Sequence, residues 1–216
     1  MGQIFHSSMN TIARLTLLGA VLIIGFIAWA GGEIYRSPYV TRQHTPLEQP
    51  VPFSHKHHVS DDGIDCRYCH TSVEESSFAN VPATKICMNC HAVIWKDAPM
   101  LEPVRESYRT GQAIRWNRLD YVPQFVYFDH HIHVNKGIGC TTCHGPVGEM
   151  PIMYQETTMH MRWCLGCHER PEQFIRPLDQ VFNADYRVPG NQLERGRLLV
   201  KEYNVKSLID CWTCHR

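Results

Sequence analysis

All ten cysteines of this 216-residue chain stand in Cys-x-x-Cys pairs, and every pair is followed at once by histidine. The five copies are Cys66-Arg67-Tyr68-Cys69-His70, Cys87-Met88-Asn89-Cys90-His91, Cys140-Thr141-Thr142-Cys143-His144, Cys164-Leu165-Gly166-Cys167-His168 and Cys211-Trp212-Thr213-Cys214-His215. This is the attachment signature of c-type haem: the two thiols form thioethers to the porphyrin and the adjacent histidine reaches the iron from the proximal side. Tetrahedral zinc ligation pairs Cys-x-x-Cys units or adds histidine at looser spacing, and nothing in it requires a histidine directly after each second cysteine. Disulfides tolerate any spacing and so do not explain five identical patterns. The expectation is five covalently attached haem c groups, with His70, His91, His144, His168 and His215 as proximal ligands.

That expectation sets the fold class. About 180 residues follow the first apolar stretch, roughly 36 per haem, too little protein to build an ordinary core around five large apolar rings. Porphyrin must supply much of the buried surface. The chain is therefore expected to be mainly α with much irregular structure, built from short helices and loops around its cofactors, and not to fold without them. Trp163, Trp212, Tyr68 and Tyr127 lie near the motifs and are expected to pack on porphyrin. With 21 Lys and Arg against 21 Asp and Glu, there is no surplus of positive charge to bind phosphate, and no nucleic-acid partner is expected.

Near the start, Leu15 to Ala30 reads LTLLGAVLIIGFIAWA with no charge. A helix from Ile12 to Ala30 would be about 28 Å long, close to the thickness of the hydrocarbon core. One N-terminal transmembrane helix is predicted, with Arg14 at its inner end and Trp29 and Tyr35 at the far interface. Ala28-Trp29-Ala30 has the form of a signal-peptidase site, but an uncleaved signal anchor is the preferred reading. Haem attachment of this type follows export, which puts residues 37–216 on the periplasmic, outer face and His6 inside. Prolines at 38, 46, 50 and 52 predict an extended, semi-rigid connector.

The remaining chain is internally repeated. Phe53-Ser54-His55-Lys56-His57-His58-Val59 precedes the first motif and Phe128-Asp129-His130-His131-Ile132-His133-Val134 the third, both reading Phe-x-His-x-x-His-Val. The paired histidines are offset by 75 residues, the first and third motifs by 74, and the second and fourth by 77. The fifth motif has no counterpart. Histidines three apart share one face of a helical turn, so one short segment can reach two neighbouring irons. His44, His57 and His131 fall outside that register and are expected to be polar surface side chains. Helices are predicted over Val104–Thr110, before Gly111, and over Gln192–Tyr203.

This histidine pattern resembles the class III multihaem cytochromes. Carried over by position, that resemblance assigns His55 to the haem at Cys66, His58 to that at Cys87, His130 to that at Cys140 and His133 to that at Cys164. The fifth haem needs one more ligand, and the resemblance places one just before a motif. Met161 is favoured there, with His160 beside it and Met150 further back as alternatives. The anchor, the five motifs, Ile114-Arg115-Trp116 through Val122-Pro123-Gln124-Phe125-Val126-Tyr127-Phe128, and Met161-Arg162-Trp163-Cys164 also resemble the membrane-anchored pentahaem subunit of alternative complex III, a quinol oxidoreductase. That likeness departs at His160.

It implies an electron-transfer subunit without a catalytic site of its own. The implied partners are an iron–sulfur subunit, polytopic quinol-binding membrane subunits and a monohaem cytochrome c. The implied organisation is an anchor over 1–36, a Pro-rich linker over 37–52, a first haem repeat with its connector over 53–125, and a second repeat with three haems over 126–216.

Two other functions compete. A multihaem reductase needs an iron with an open position, and here there are enough spare ligands to close all five. A stand-alone membrane-anchored quinol dehydrogenase of the small tetrahaem type usually carries methionine two residues beyond a motif histidine. The residues following His70, His91, His144 and His168 here are Thr71-Ser72, Ala92-Val93, Gly145-Pro146 and Glu169-Arg170. If the motif reading is right, the intact mass equals the polypeptide plus five haems and the reduced protein shows sharp cytochrome c bands. A bare polypeptide mass refutes it.

Overall fold

The computed structural model describes residues 4–215. They divide into two compact units, one ending at Arg42 and one beginning at Gln43. In the first, helix α1 (Ser8–Arg36) is followed by a single turn, α2 (Pro38–Thr41). None of α1 is buried, and its mean hydropathy of 2.2 over 18 residues makes it long and apolar enough to cross a membrane. Ser37 ends it because Pro38 cannot continue the hydrogen-bond ladder and pushes its predecessor to extended backbone (ψ 158°).

The second unit contains short helices and no strand among its described residues; one isolated bridge joins Ile138 to Ile175. Its first residues, within the segment expected to be an extended, semi-rigid connector, bond to the rest of the unit. His44 donates its amide to the Gln155 carbonyl at 2.9 Å, the Gln49 amide group bonds Asn117, and Val51 is buried with Leu101 and Val104. Prolines keep this segment extended, but its backbone groups find partners in the unit and it becomes part of it.

All five motifs lie on helices: α3 (Cys66–Cys69), α4 (Thr84–His91), α7 (Cys140–His144), α8 (Met161–Glu169) and α10 (Cys211–Cys214). One helical turn puts the two sulfurs of each motif on the same face. Between α4 and α7 come α5 (Glu102–Thr110), stopped by Gly111 in left-handed conformation (φ 73°), and α6 (His130–Asn135). Between α8 and α10 lies α9 (Gln192–Glu202).

The two repeats differ by one residue. Eleven positions separate His55 from Cys66, but ten separate His130 from Cys140. In the second repeat the histidine segment is the α-helix α6; in the first it is a π-helix over Lys56–Asp61, where the Asp62 amide bonds the His57 carbonyl. A π turn is how a helix absorbs one inserted residue, and it leaves the two histidine pairs in the same register.

Few apolar side chains are buried: Val51, Leu101 and Val104 in one cluster, Val73, Val134 and Val181 in another, and Met150, Ile175 and Leu199 besides. Many aromatic and aliphatic side chains flanking the motifs are instead exposed, among them Tyr68, Trp95, Tyr127 and Trp212. At about 0.8 kcal/mol per buried CH₂, these nine side chains are a slender core for such a unit. One packing point is demanding. Helix α9 meets the turn Pro171–Gln173 at the buried Gly196, where a Cβ would overlap the Glu172 carbonyl. Gly196→Ala should force the two apart, cost about 1–3 kcal/mol, and lower the thermal midpoint of the haem-loaded protein by several degrees; an unchanged midpoint would mean that α9 does not dock there.

Candidate haem-ligand clusters

Helices α4, α7 and α8 carry histidines that face histidines of the repeat. The His58 and His91 ring centroids are 6.2 Å apart with planes at 65°, and those of His133 and His168 are 6.1 Å apart at 66°. The repeat thus reproduces the same pair twice. His130 and His144 lie 6.4 Å apart with planes within 3°. A metal held between two imidazole nitrogens at about 2 Å each places the ring centroids roughly 6 Å apart, so each of these pairs could hold one iron between its rings. His55 is partly buried near His70, His58 and His144; its burial first, then these neighbours, lowers it to about 4.

Phenylalanine sets these rings. Phe53 stacks on His58 (4.4 Å) and meets His55 edge-on (4.8 Å); Phe128 stacks on His133 (4.5 Å) and meets His130 edge-on (4.8 Å). One aromatic ring orients both histidines of a segment, which gives the Phe of the repeated heptapeptide its purpose.

Hydrogen bonds then settle the tautomers. The Nδ1–H of His58 donates to Ser54 O (2.9 Å), of His70 to Asn80 O (2.6 Å), of His91 to Ile94 O (3.0 Å) and of His130 to Ser77 O (2.9 Å). That of His133 donates to Asp129 O (2.6 Å), of His168 to Leu208 O (2.8 Å) and of His215 to Phe125 O (3.0 Å). A carbonyl can only accept, so the proton sits on Nδ1 and the Nε2 lone pair is left for a metal. His144 differs, with Nδ1 2.7 Å from an Asp120 carboxylate oxygen. His55 Nδ1 is buried with no hydrogen-bond partner. Burial lowers His70, His130 and His133, which favours the neutral, ligating form.

Among the described residues no three His, Cys, Asp or Glu side chains converge on one metal position. Two facing imidazoles would give an iron two of its donors, and a haem would supply the others. The cysteines are free thiols, two to each motif helix and directly before its histidine, where they fit thioether attachment. Residues and group therefore match.

The cysteines also order the motifs in space. Burial raises Cys69, with Cys87 adding to the shift. The Cys66 thiol lies beside that of Cys140, and this neighbour together with burial raises Cys140. Burial pushes Cys143 up to about 12, with Cys167 and Cys164 adding, and raises Cys164, with Cys214 adding. The motifs thus run second, first, third, fourth, fifth, an order that chain position does not reveal.

The fifth motif is built differently. His215 is held against Phe125, ring centroids 5.7 Å apart, and the Tyr127 amide bonds the Cys214 carbonyl. Met161 opens α8 and is 67% exposed; His160 is the residue capping that helix; Met150 is 1% exposed. Three histidines outside the repeat register are half-exposed and face acids: His44 meets Glu156 and packs edge-on against Tyr154, His57 lies between Asp61 and Asp62 and stacks on Trp95, and His131 bonds Asp129. Asp120 and the carbonyl partners escaped the sequence reading, since a hydrogen bond from distant backbone leaves no motif.

The sequence is similar to known proteins over both repeats. A model described as the class III cytochrome c family matches residues 34–114, and one described as cytochrome c7 and related cytochrome c matches 126–216. The multihaem cytochrome c subunit of menaquinone reductase from Nitratidesulfovibrio vulgaris (strain Hildenborough) is 31% identical over 172 residues, covering 70% of this chain and 78% of that protein. With imidazoles facing one another beside paired thiols and likeness in both halves, the chain belongs to the class III multihaem c-type cytochromes, electron-transport proteins that hold haem covalently.

Proposed function

We propose that this chain is the pentahaem electron-transfer subunit of a membrane quinone-linked oxidoreductase. The observation that carries the reading is the spatial order of the motifs, each with sulfurs beside those of the next. Bound haem supplies a one-electron ferric–ferrous couple at each position. The chain's residues do the rest. Cys66, Cys69, Cys87, Cys90, Cys140, Cys143, Cys164, Cys167, Cys211 and Cys214 fix five macrocycles, and the proximal histidines reach their irons.

The distal assignments are His55 opposite His70, His58 opposite His91, His130 opposite His144 and His133 opposite His168, supported by the facing rings and, for His55, by its closeness to His70. Met161 takes the position opposite His215, with His160 and Met150 as its rivals. Helix α1 anchors the subunit in the plasma membrane, and the unit from Gln43 lies on the periplasmic side.

The partners are an iron–sulfur subunit, polytopic quinone-binding subunits and a monohaem cytochrome c, in an assembly of the alternative complex III type that oxidises quinol. A second reading runs the electrons the other way, towards menaquinone, and is favoured by the name of the relative from N. vulgaris. Purification in mild detergent separates these from a stand-alone dehydrogenase. Co-purifying subunits whose quinol reduces the haems support the first reading, haems oxidised by added menaquinone support the second, and a lone chain active with quinol refutes both.

Ligand replacement tests the axial pairs. His58→Ala and His133→Ala, at equivalent repeat positions, should each convert one low-spin haem of five into a high-spin, cyanide-binding form while the other four stay unchanged. Spectra in which all five remain low-spin would reject those assignments.

A further inference from the structure

The third motif differs from the other four in the partner of its histidine. His70, His91, His168 and His215 each donate Nδ1–H to a backbone carbonyl. His144 alone of the five faces a carboxylate, Asp120 Oδ2, at 2.7 Å. The two side chains retain 31% and 26% of their exposure, and the other carboxylate oxygen, Asp120 Oδ1, is buried without a hydrogen-bond partner. Held away from water on that side, the charge is poorly screened at the imidazole. Its field extends to the attachment cysteine, since Asp120 is among the groups that raise Cys143.

Nothing corresponding exists in the first repeat, where His70 occupies the same register and uses the Asn80 carbonyl. Asp120 comes from the connector before the second repeat, eight residues ahead of Phe128. The His144 ring is also the one set parallel to its facing histidine, within 3°, whereas the two other facing pairs stand at 65° and 66°.

We propose that Asp120 is a positioning residue that makes the Cys140 haem the electron-rich member of the central pair, lowering its reduction potential relative to the same site with a neutral partner. The physical basis is the imidazole's basicity. A carboxylate accepting the Nδ1 proton pushes electron density onto Nε2, which favours ferric over ferrous iron. The first and third attachment sites adjoin through Cys66 and Cys140, so the carboxylate breaks the equivalence of two otherwise repeated sites at the junction between halves. The proposal rests on the haem reading above.

The test is Asp120→Asn in the full membrane-bound chain, with Asp120→Glu beside it. Intact mass and reduced-state bands come first: five haems must be present in the unaltered protein, and a lower number there defeats the haem reading itself and not the role of Asp120. In a spectroelectrochemical titration, Asp120→Asn should shift one redox step towards reduction by about tenfold in the ferric–ferrous equilibrium, equivalent to about 59 mV for one electron, and Asp120→Glu should return it. Five unmoved steps, or all five moving together, overturn the proposal. If Asp120→Asn fails to mature, the unaltered protein still decides. Its reduced-minus-oxidised infrared spectrum should carry a carboxylate band in one haem's step, and the absence of such a band also overturns it.

Discussion

Histidine orientation is the constraint from which the second unit is built. An imidazole offers a metal only one nitrogen at a time, and which one depends on where the other's proton goes. Here backbone carbonyls from neighbouring turns take that proton at position after position. Each such bond uses an oxygen that would otherwise seek water, so satisfying the backbone and aiming the ring are the same event. The result is a set of Nε2 atoms directed at facing partners, held in place by short loops that have little apolar packing of their own. The slender core and the exposed aromatic side chains around the motifs go together: they leave apolar surface that bound haem would cover.

Duplication explains how so little protein organises several such sites. Phe53 and Phe128 each hold two histidines, one by stacking and one by edge contact, with nearly the same distances in both halves. The extra residue of the first half is confined to a π turn and does not disturb this geometry. The halves are nevertheless unequal electrically. A backbone dipole faces His70 and a full carboxylate faces His144. Repetition supplies the scaffold, and a connector lying outside the repeated motifs supplies the difference.

Much of this was readable from the residues. Helices over Val104–Thr110 and Gln192–Tyr203 are present, as Glu102–Thr110 and Gln192–Glu202, because an apolar face and a following glycine or turn are local properties. The apolar N-terminal helix, the near absence of sheet and the class of cofactor followed from hydropathy and from Cys-x-x-Cys-His. The segment 43–52 was less legible: its prolines announced an extended backbone, but not the Asn117 and Gln155 groups against which it packs.

The sequence by itself determined the haem attachment chemistry, the repeat and the helical character, since each rests on residues within a few positions of one another along the chain. Only the tertiary structure decided that Cys66 lies against Cys140, that the motifs run second, first, third, fourth, fifth, and that Asp120 reaches His144 across 24 positions. Contacts between distant residues depend on how loops close over one another, and a carboxylate in a connector carries no local mark of the ring it will meet.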